Sequence, residues 1–247
     1  MAEIMVAEAH QAWCKEMEAF EETKAGIKGL VDSGVSKVPR IFVHPDQDKL
    51  PKAPSDSLQV PVIDLEGIDV RRAEIVGLIR GACETWGCFQ LINHGMEGGI
   101  IDATLEAIRK LHEQPNEAKA GLFSDDSSQQ DHWVDAVPIP GALIAHVGDL
   151  MQVISNDKFK SVEHRVLARA DETRVSAACF LYPSAQNIQK PFGPIKELIS
   201  DTNPCIYKEV FPLEYATFYQ TKPLDGSSAL SHYKLELNGN QENAQPA

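Results

Sequence analysis

The residues best suited to chemistry lie in two short stretches of the second half of the chain. Residues 161–166 are SVEHRV and residues 174–176 are RVS, so Arg174 follows His164 by ten positions. A neutral imidazole is a common metal ligand, and a guanidinium binds a carboxylate through two parallel hydrogen bonds. Because alternate residues of a strand share a face, Ser176 would add a hydroxyl beside Arg174. A histidine followed by an arginine does not by itself identify a kind of site, so the interpretation depends on the surrounding elements.

Composition excludes several classes of function. The chain has 247 residues, with 23 Lys and Arg against 36 Asp and Glu, which gives a net charge of −13. A phosphate-binding surface needs clustered cations, so we expect neither nucleic acid nor an anionic membrane surface as a partner. No apolar run approaches the roughly 20 residues of a membrane-spanning helix. The N-terminal residues also lack the basic and apolar regions of a secretory signal.

Cysteine usage indicates the compartment. The five cysteines are odd in number and widely scattered, and none forms a Cys-x-x-Cys pair. Such a pattern predicts free thiols in a reducing environment rather than a disulfide framework. We therefore expect a cytoplasmic protein.

Hydrophobic periodicity divides the chain into two parts. Helical spacing is found at residues 8–33, 71–86 and 98–112, and short strands are predicted at 60–65 and 89–92. The helix at 71–86 carries its apolar residues on one face, namely Ile75, Leu78, Ile79 and Ala82. From residue 133 onward the pattern is mostly that of strands and turns. Further strands are predicted at about 142–147, 160–168 and 174–181, and a short helix at 212–219. The sequence thus predicts a mixed α+β fold.

These segments, taken in order, resemble one family. VPVIDL at 60–65, the helix that ends at Trp86-Gly87, and FQLINHG at 89–95 look like the N-terminal region of plant 2-oxoglutarate/Fe(II)-dependent dioxygenases. Four later stretches resemble the later strands of that family's double-stranded β-helix: residues 133–149, 154–156, 161–166 and 174–176. LSHYKL at 230–235 is similar to the branch of 1-aminocyclopropane-1-carboxylate oxidase homologues.

The resemblance implies a fold with defined regions. It implies a helical N-terminal region packed on a partial double-stranded β-helix, or jelly roll. Residues 1–120 would form the N-terminal dioxygenase region and residues 133–237 the C-terminal part of the catalytic domain. A polar junction, residues 121–132, would separate them, and residues 238–247 would form a disordered tail.

The resemblance also implies cofactors and site residues. The family uses Fe(II) and 2-oxoglutarate to oxidise a small organic molecule. In such sites two histidines and one carboxylate hold the iron. His164 matches the distal histidine ligand, and Arg174 with Ser176 would bind the far carboxylate of 2-oxoglutarate.

The junction stands where the family carries its His-x-Asp ligand pair. Among the eight histidines, His44 and Asp46 form the only His-x-Asp spacing, in a proline-bounded loop ahead of the barrel. His132 and Asp135 are three residues apart and would point to opposite faces of a strand. We therefore assign no catalytic residue and predict an impaired enzyme. The alternative is a truncated, non-catalytic remnant or a splice or gene-model product that acts as a binding or regulatory protein.

Each candidate residue also has an ordinary structural interpretation. His164 would then be a strand histidine, Arg174 an exposed cation at a strand edge, and Ser176 a buried hydroxyl bonded to backbone. His94 is interpreted as a turn residue, as is Asp149 after Gly148. His146 is interpreted as a strand-surface histidine that could approach the site.

Missing barrel strands have a consequence for association. A jelly roll has about eight strands, and only about four can be counted after residue 131. The remaining sheet would expose unpaired edges, which promote pairing with another chain. We therefore expect self-association through exposed strand edges.

Overall fold

The computed structural model describes residues 59–115, 136–164, 174–221 and 228–235, together with parts of residues 12–41. The polar junction and the C-terminal tail predicted from the sequence lie outside these residues, as do His44, Asp46, His132 and Asp135. The domain boundaries therefore stay predictions. Among the described residues, no helix combines the length and apolar character needed to cross a membrane.

The described elements alternate between helices and short strands. In chain order they are α1 (Gly26–Asp32), β1 (Val62–Asp64), α2 (Ile68–Thr85), β2 (Cys88–Ile92), α3 (Gly98–His112), β3 (Leu143–His146), α4 (Asp149–Ile154), a 3-10 turn (Lys196–Leu198), α5 (Pro212–Thr221) and a 3-10 helix (Ala229–Tyr233). Helical residues before α1 agree with the helix predicted from residue 8. The mixed α+β class is therefore confirmed.

The three described strands form a single sheet in the order β1-β2-β3. β1 pairs parallel with β2, with Val62 opposite Gln90, and β3 pairs antiparallel with β2, with Ala145 opposite Phe89. Parallel neighbours need a crossover, and α2 supplies it. The turn after β1 is held by Asp64, whose Oδ1 accepts from the Glu66 amide at 2.9 Å and the Asn93 side-chain amide at 2.8 Å.

One face of this sheet packs on α2 and forms the first core. Ile63, Ile75, Ala82, Phe89 and Val147 are its main buried residues. Residues 75, 79 and 82 recur on one stripe of the helix, as the sequence predicts. The sequence also predicted Leu78 on this face, but its side chain is 49% exposed. Its position is rotated about 60° from Ile75, given 3.6 residues per turn, where the narrow sheet does not reach.

A second core joins α4 to the C-terminal segments. Val153, Tyr207, Val210, Leu230 and Tyr233 are buried together. The sequence did not predict α4, because Asp149 was interpreted as a turn residue. In the structure Asp149 begins the helix, and its carboxylate accepts a hydrogen bond from Tyr215. Six residues are too few to show helical periodicity, which explains the miss.

A partly buried polar network joins this second core to the segment that leads to His164. Tyr207 donates its hydroxyl to Asp157 at 2.7 Å, and the Gln152 side chain donates to the same oxygen at 2.5 Å. Gln152 in turn accepts from the Ser161 amide at 2.6 Å. Because each member has partners, the network fixes the backbone at residue 161 relative to α4.

Two strands predicted from the sequence do not form in the described residues. Residues 160–164 and 174–184 are assigned to no helix or strand. Their β-rich sequences predict strands, but a strand also requires a hydrogen-bonded neighbour. The prediction of strands was therefore wrong for these described residues.

Gly87 is the residue whose replacement should damage the fold most directly. Its φ is +67°, and an added Cβ would lie 2.2 Å from the Lys160 carbonyl oxygen. We expect Gly87→Ala to lower the free energy of unfolding by at least about 2 kcal/mol, through both backbone strain and the clash. Chemical denaturation followed by circular dichroism measures the change.

A matched control lies in the interior of α2. A Cβ at Gly81 would meet nothing within 4 Å, so Gly81→Ala should raise the free energy of unfolding by roughly 0.5–1 kcal/mol. If Gly87→Ala were as stable as the unchanged protein, the close approach to Lys160 would be disproved.

Candidate functional site

The candidate site lies on the sheet face opposite α2. Phe89 and Ala145 point to the first core, so their strand neighbours Cys88, Gln90 and His146 point to the other face. Gln90 is buried there without loss of hydrogen bonds. Its amide nitrogen donates to the Val137 carbonyl at 3.0 Å, and its oxygen accepts from the Ile139 amide at 3.1 Å. Residues 137–139 therefore cover the middle of this face and leave the end at His146 open.

His146 and His164 meet at this open end. Their rings stack with centroids 4.1 Å apart and an interplanar angle of 22°. Nδ1 of His164 lies 3.4 Å from the Val162 carbonyl oxygen, which is a weak contact. Both side chains keep solvent exposure. The stack, rather than a strong hydrogen bond, therefore sets the orientation of the His164 ring.

Backbone contacts near Gly87 bring the two histidines together. The Lys160 amide donates to the Cys83 carbonyl at 2.9 Å, which holds the start of the His164 segment against the end of α2. The Val147 amide donates to the Gly87 carbonyl at 2.8 Å, which holds the end of β3 at the same place. The positions of both histidines are therefore set by the α2–β2 connection.

The environment favours a neutral imidazole at residue 146. Partial burial lowers the pKa of His146, and the neighbouring His164 ring lowers it further. A neutral imidazole keeps a ring nitrogen lone pair, which is the form that binds a metal. The electrostatics at His146 therefore suit a metal ligand better than a permanent cation.

The donor set in the described residues does not fit the family's iron. Such iron requires two histidines and a carboxylate that converge on one face. Within the described ranges, no group of three or more His, Cys, Asp or Glu side chains is gathered for a metal. The ring contact of His164 among the described residues is with the His146 imidazole. No iron chemistry can be derived from these residues.

The side chains of Arg174 and Ser176 lie together, as their spacing predicts. Nη1 of Arg174 donates to Oγ of Ser176 at 3.2 Å, and both side chains are exposed. A guanidinium beside a hydroxyl can bind a carboxylate. In the described part of the chain, no hydrogen bond or ring contact joins this pair to His164. The structure brings His164 to His146 and not to Arg174.

His94 has the structural role that the sequence assigned to it. Its Nδ1 accepts from the Met96 amide at 3.2 Å, and its Nε2 lies 2.8 Å from the Gly141 carbonyl oxygen. Acceptance at Nδ1 puts the proton of the neutral ring on Nε2, which donates to Gly141. His94 therefore fastens the turn after β2 to the turn before β3.

The sequence did not predict the contact of His146 with His164. It placed His146 on the correct strand, but a contact with His164 depends on the β2–β3 register and on the path of residues 147–164. It also treated Cys88 only as a free thiol, whereas Cys88 lies opposite His146 across the β2–β3 ladder. The available signal was the alternation along both strands, which places Cys88 and His146 on one face.

Two family models match the chain. The model of the non-haem dioxygenase N-terminal region, named for morphine synthesis, matches residues 60–136. The model of the 2OG-Fe(II) oxygenase superfamily matches residues 109–183. The two matches follow the order that the sequence predicted.

Plant proteins are similar over most of the chain. A 1-aminocyclopropane-1-carboxylate oxidase homolog of Solanum lycopersicum is 28% identical, over 89% of this chain and 96% of the relative. Homolog 3 of Arabidopsis thaliana is 30% identical with the same two shares. The tomato alignment runs over 350 positions, whereas this chain has 247 residues, so more than a hundred alignment positions have no counterpart here.

Solved structures agree in fold. The structure titled JOX2 in complex with 2OG, Fe, and JA has a TM-score of 0.66 at 21% identity, and the match covers 84% of this chain and 97% of that one. A rice dioxygenase for auxin oxidation has a TM-score of 0.57 at 18% identity, over 71% of this chain and 100% of that one. The chain thus belongs to the 2-oxoglutarate/Fe(II)-dependent dioxygenase family, whose cofactors are Fe(II) and 2-oxoglutarate.

Proposed function

We propose that this chain is a dioxygenase-family protein that retains the co-substrate anchor but does not turn over a small organic substrate. The observation that carries the proposal is the donor set around His164. In the described residues its neighbour is the His146 imidazole, and no third ligand converges on the pair. We further infer that it is a cytoplasmic protein of plant metabolism.

The chemistry of iron binding explains why such a protein would not turn over. Fe(II) stands low in the affinity order of divalent metals, so a site must supply several preorganised ligands to retain it. Two neutral nitrogens supply no negative charge to balance the cation. Water would then occupy the remaining positions, and iron would exchange freely.

The lengths of the alignments support an internal loss. More than a hundred positions of the tomato alignment face gaps in this chain. We place the loss at residues 121–132, because the sequence there lacks the His-x-Asp pair that the family carries. The remaining strands would then be part of a double-stranded β-helix whose partner strands are missing.

The apolar stripe of α3 supports the same inference. Ile100 and Leu111 lie on one side of the helix, and their side chains are 54% and 44% exposed. A surface helix normally turns such a stripe toward a core. The exposed stripe is consistent with the loss of an element that would cover it.

The alternative is that the 247 residues represent a splice or gene-model product of an active enzyme. Sequencing the transcript across the codons for residues 120–135 distinguishes the two. A longer in-frame form that contains His-x-Asp would support the alternative, whereas its absence would support a non-catalytic protein.

The proposed loss of turnover predicts the result of an anaerobic Fe(II) titration. We expect no tight saturable site and no succinate release above that of protein-free iron with 2-oxoglutarate, because the donor set is incomplete. His164→Asn should leave both results unchanged, as should His94→Asn at a structural histidine. One tight iron site with succinate release that disappears in His164→Asn alone would overturn the proposal.

The retained anchor predicts weak binding of 2-oxoglutarate. Arg174→Ala should abolish whatever binding calorimetry detects, and Arg174→Lys should weaken it strongly, because an ammonium cannot make the bidentate pair. Ser176→Ala should weaken binding by roughly 3- to 10-fold, as for one neutral hydrogen bond. Lys190→Ala removes another exposed cation and serves as the control. Binding that survives in Arg174→Ala would show that the anchor lies elsewhere.

We also propose self-association through segment 174–184, which is part of no helix or strand. Phe180, Leu181 and Tyr182 are consecutive and 75%, 100% and 72% exposed. The stretch around them, SAACFLY, carries no charge and no proline. Exposed segments of this composition pair with other chains. A second copy of the chain carries the same unpaired segment and is the proposed partner.

Sedimentation velocity over a range of concentrations tests this association. We expect oligomers that grow with concentration, and Leu181→Lys should shift the population toward monomer by placing charge on the pairing segment. Val70→Lys is the control, because Val70 is 89% exposed on α2 and lies outside the segment. A monomer at all concentrations, or equal effects of the two variants, would contradict the proposal.

A further inference from the structure

The third helix, α3, carries an apolar stripe that is exposed to solvent. The structure describes α3 over its whole length, and none of its residues is buried. Ile100 and Leu111 are exposed at the two ends of the stripe, and Ala103 and Ala107 lie between them. A Cβ at Gly99 would meet nothing within 4 Å. The stripe is therefore a shallow groove with small residues in its middle and large residues at its ends.

Charged side chains border this stripe, and their sign changes along the helix. Asp102, Glu106 and Lys110 recur every four residues, which places them in a row along one side of α3. All three are exposed. The carboxylate of Glu106 is neutralised within the helix, since its oxygens lie 2.7 Å from a nitrogen of Arg109 and 3.6 Å from that of Lys110. The row therefore keeps a negative charge at Asp102 and a positive charge near Lys110.

We propose that α3 packs antiparallel on α3 of a second copy of the chain and closes a symmetric dimer. Antiparallel packing sets Asp102 opposite Lys110 of the second copy, and the twofold axis repeats this pair. Parallel packing would set each charge against its like, which is unfavourable. Antiparallel helix dipoles also attract. The two alanines let the helices approach closely, and Ile100 then meets Leu111 of the second copy. This self-complementary charge pattern identifies a second copy as the occupant.

This dimer is separate from the association proposed for segment 174–184. A symmetric pair covers the stripe of both copies and stops at two chains. The α3 dimer is therefore tested in the Leu181→Lys variant, which weakens association through the other segment. Sedimentation velocity of this variant should show a reversible equilibrium between monomer and dimer that goes no further. A monomer at every concentration would overturn the proposal, with the stripe then covered within one chain.

A change within the stripe tests the apolar contact. In the Leu181→Lys background, Ile100→Lys should raise the dissociation constant of the dimer by roughly 10-fold or more, because it places a charge in the buried contact. Val70→Lys makes the same kind of change at an exposed site on α2 and should leave the constant unchanged. Equal effects of the two variants would show that the dimer forms through another surface.

A charge swap in the same background tests the partner and the orientation together. Asp102→Lys sets two lysines opposite each other and Lys110→Glu sets two carboxylates opposite each other, so each variant alone should dimerise roughly 10-fold more weakly or worse. Mixed in equal amounts, the two variants should form a heterodimer, because every opposed pair then has opposite signs.

The control for the charge swap lies outside α3. Lys190→Glu makes the same charge change as Lys110→Glu at another exposed lysine and should leave the dimer unchanged. Failure of the two swapped variants to form a heterodimer, or equal behaviour of Lys110→Glu and Lys190→Glu, would contradict the antiparallel pair. These results involve neither iron nor turnover, so their failure leaves the proposed loss of activity standing.

Discussion

The close approach of Gly87 to Lys160 is the constraint on which the rest of the site depends. At a φ of +67°, Gly87 turns the chain from α2 into β2 with no side chain between it and the carbonyl of Lys160. That contact lets the Lys160 amide reach Cys83, while the Gly87 carbonyl accepts from Val147. Two distant parts of the chain are thereby held at one junction. A larger residue at position 87 would separate these two parts of the chain, and the ring stacking of His146 on His164 would be lost.

The partly buried polar network of Gln152, Asp157 and Tyr207 provides the second support for the same segment. Burial raises the pKa of Asp157, but the hydrogen bonds from Tyr207 and Gln152 and the charges of Lys160 and Lys234 together outweigh it, so the pKa is lowered. Burial raises the pKa of Tyr207 and keeps it a donor. An ionised acceptor between two donors gives a charge-assisted network, which is stronger than a neutral one. The path of residues 157–161 is therefore fixed both by this network and by the close approach of Gly87 to Lys160.

Local pattern was sufficient to predict the elements that carry their own signal. The stripe of Ile75, Ile79 and Ala82 predicted α2, and α3 begins and ends where its periodicity does. Extended segments behaved differently. Residues 160–164 and 174–184 have strand-like composition, but strand formation depends on a neighbour that local pattern does not encode. The same limit applies to the site, because the meeting of His146 with His164 depends on register and on the junction at Gly87.

The way iron ligands are distributed along a chain explains how a family member could lose them as proposed. A strand places residues i and i+2 on one face, so a His-x-Asp pair occupies a single short stretch. Loss of that stretch removes two of three ligands at once, while the distal histidine stays on a segment with its own supports. His164 is held in place by Gly87 and by the Gln152–Asp157–Tyr207 network, neither of which requires iron. A histidine kept in position for structural reasons is free to contact other side chains, and here that side chain is the His146 imidazole.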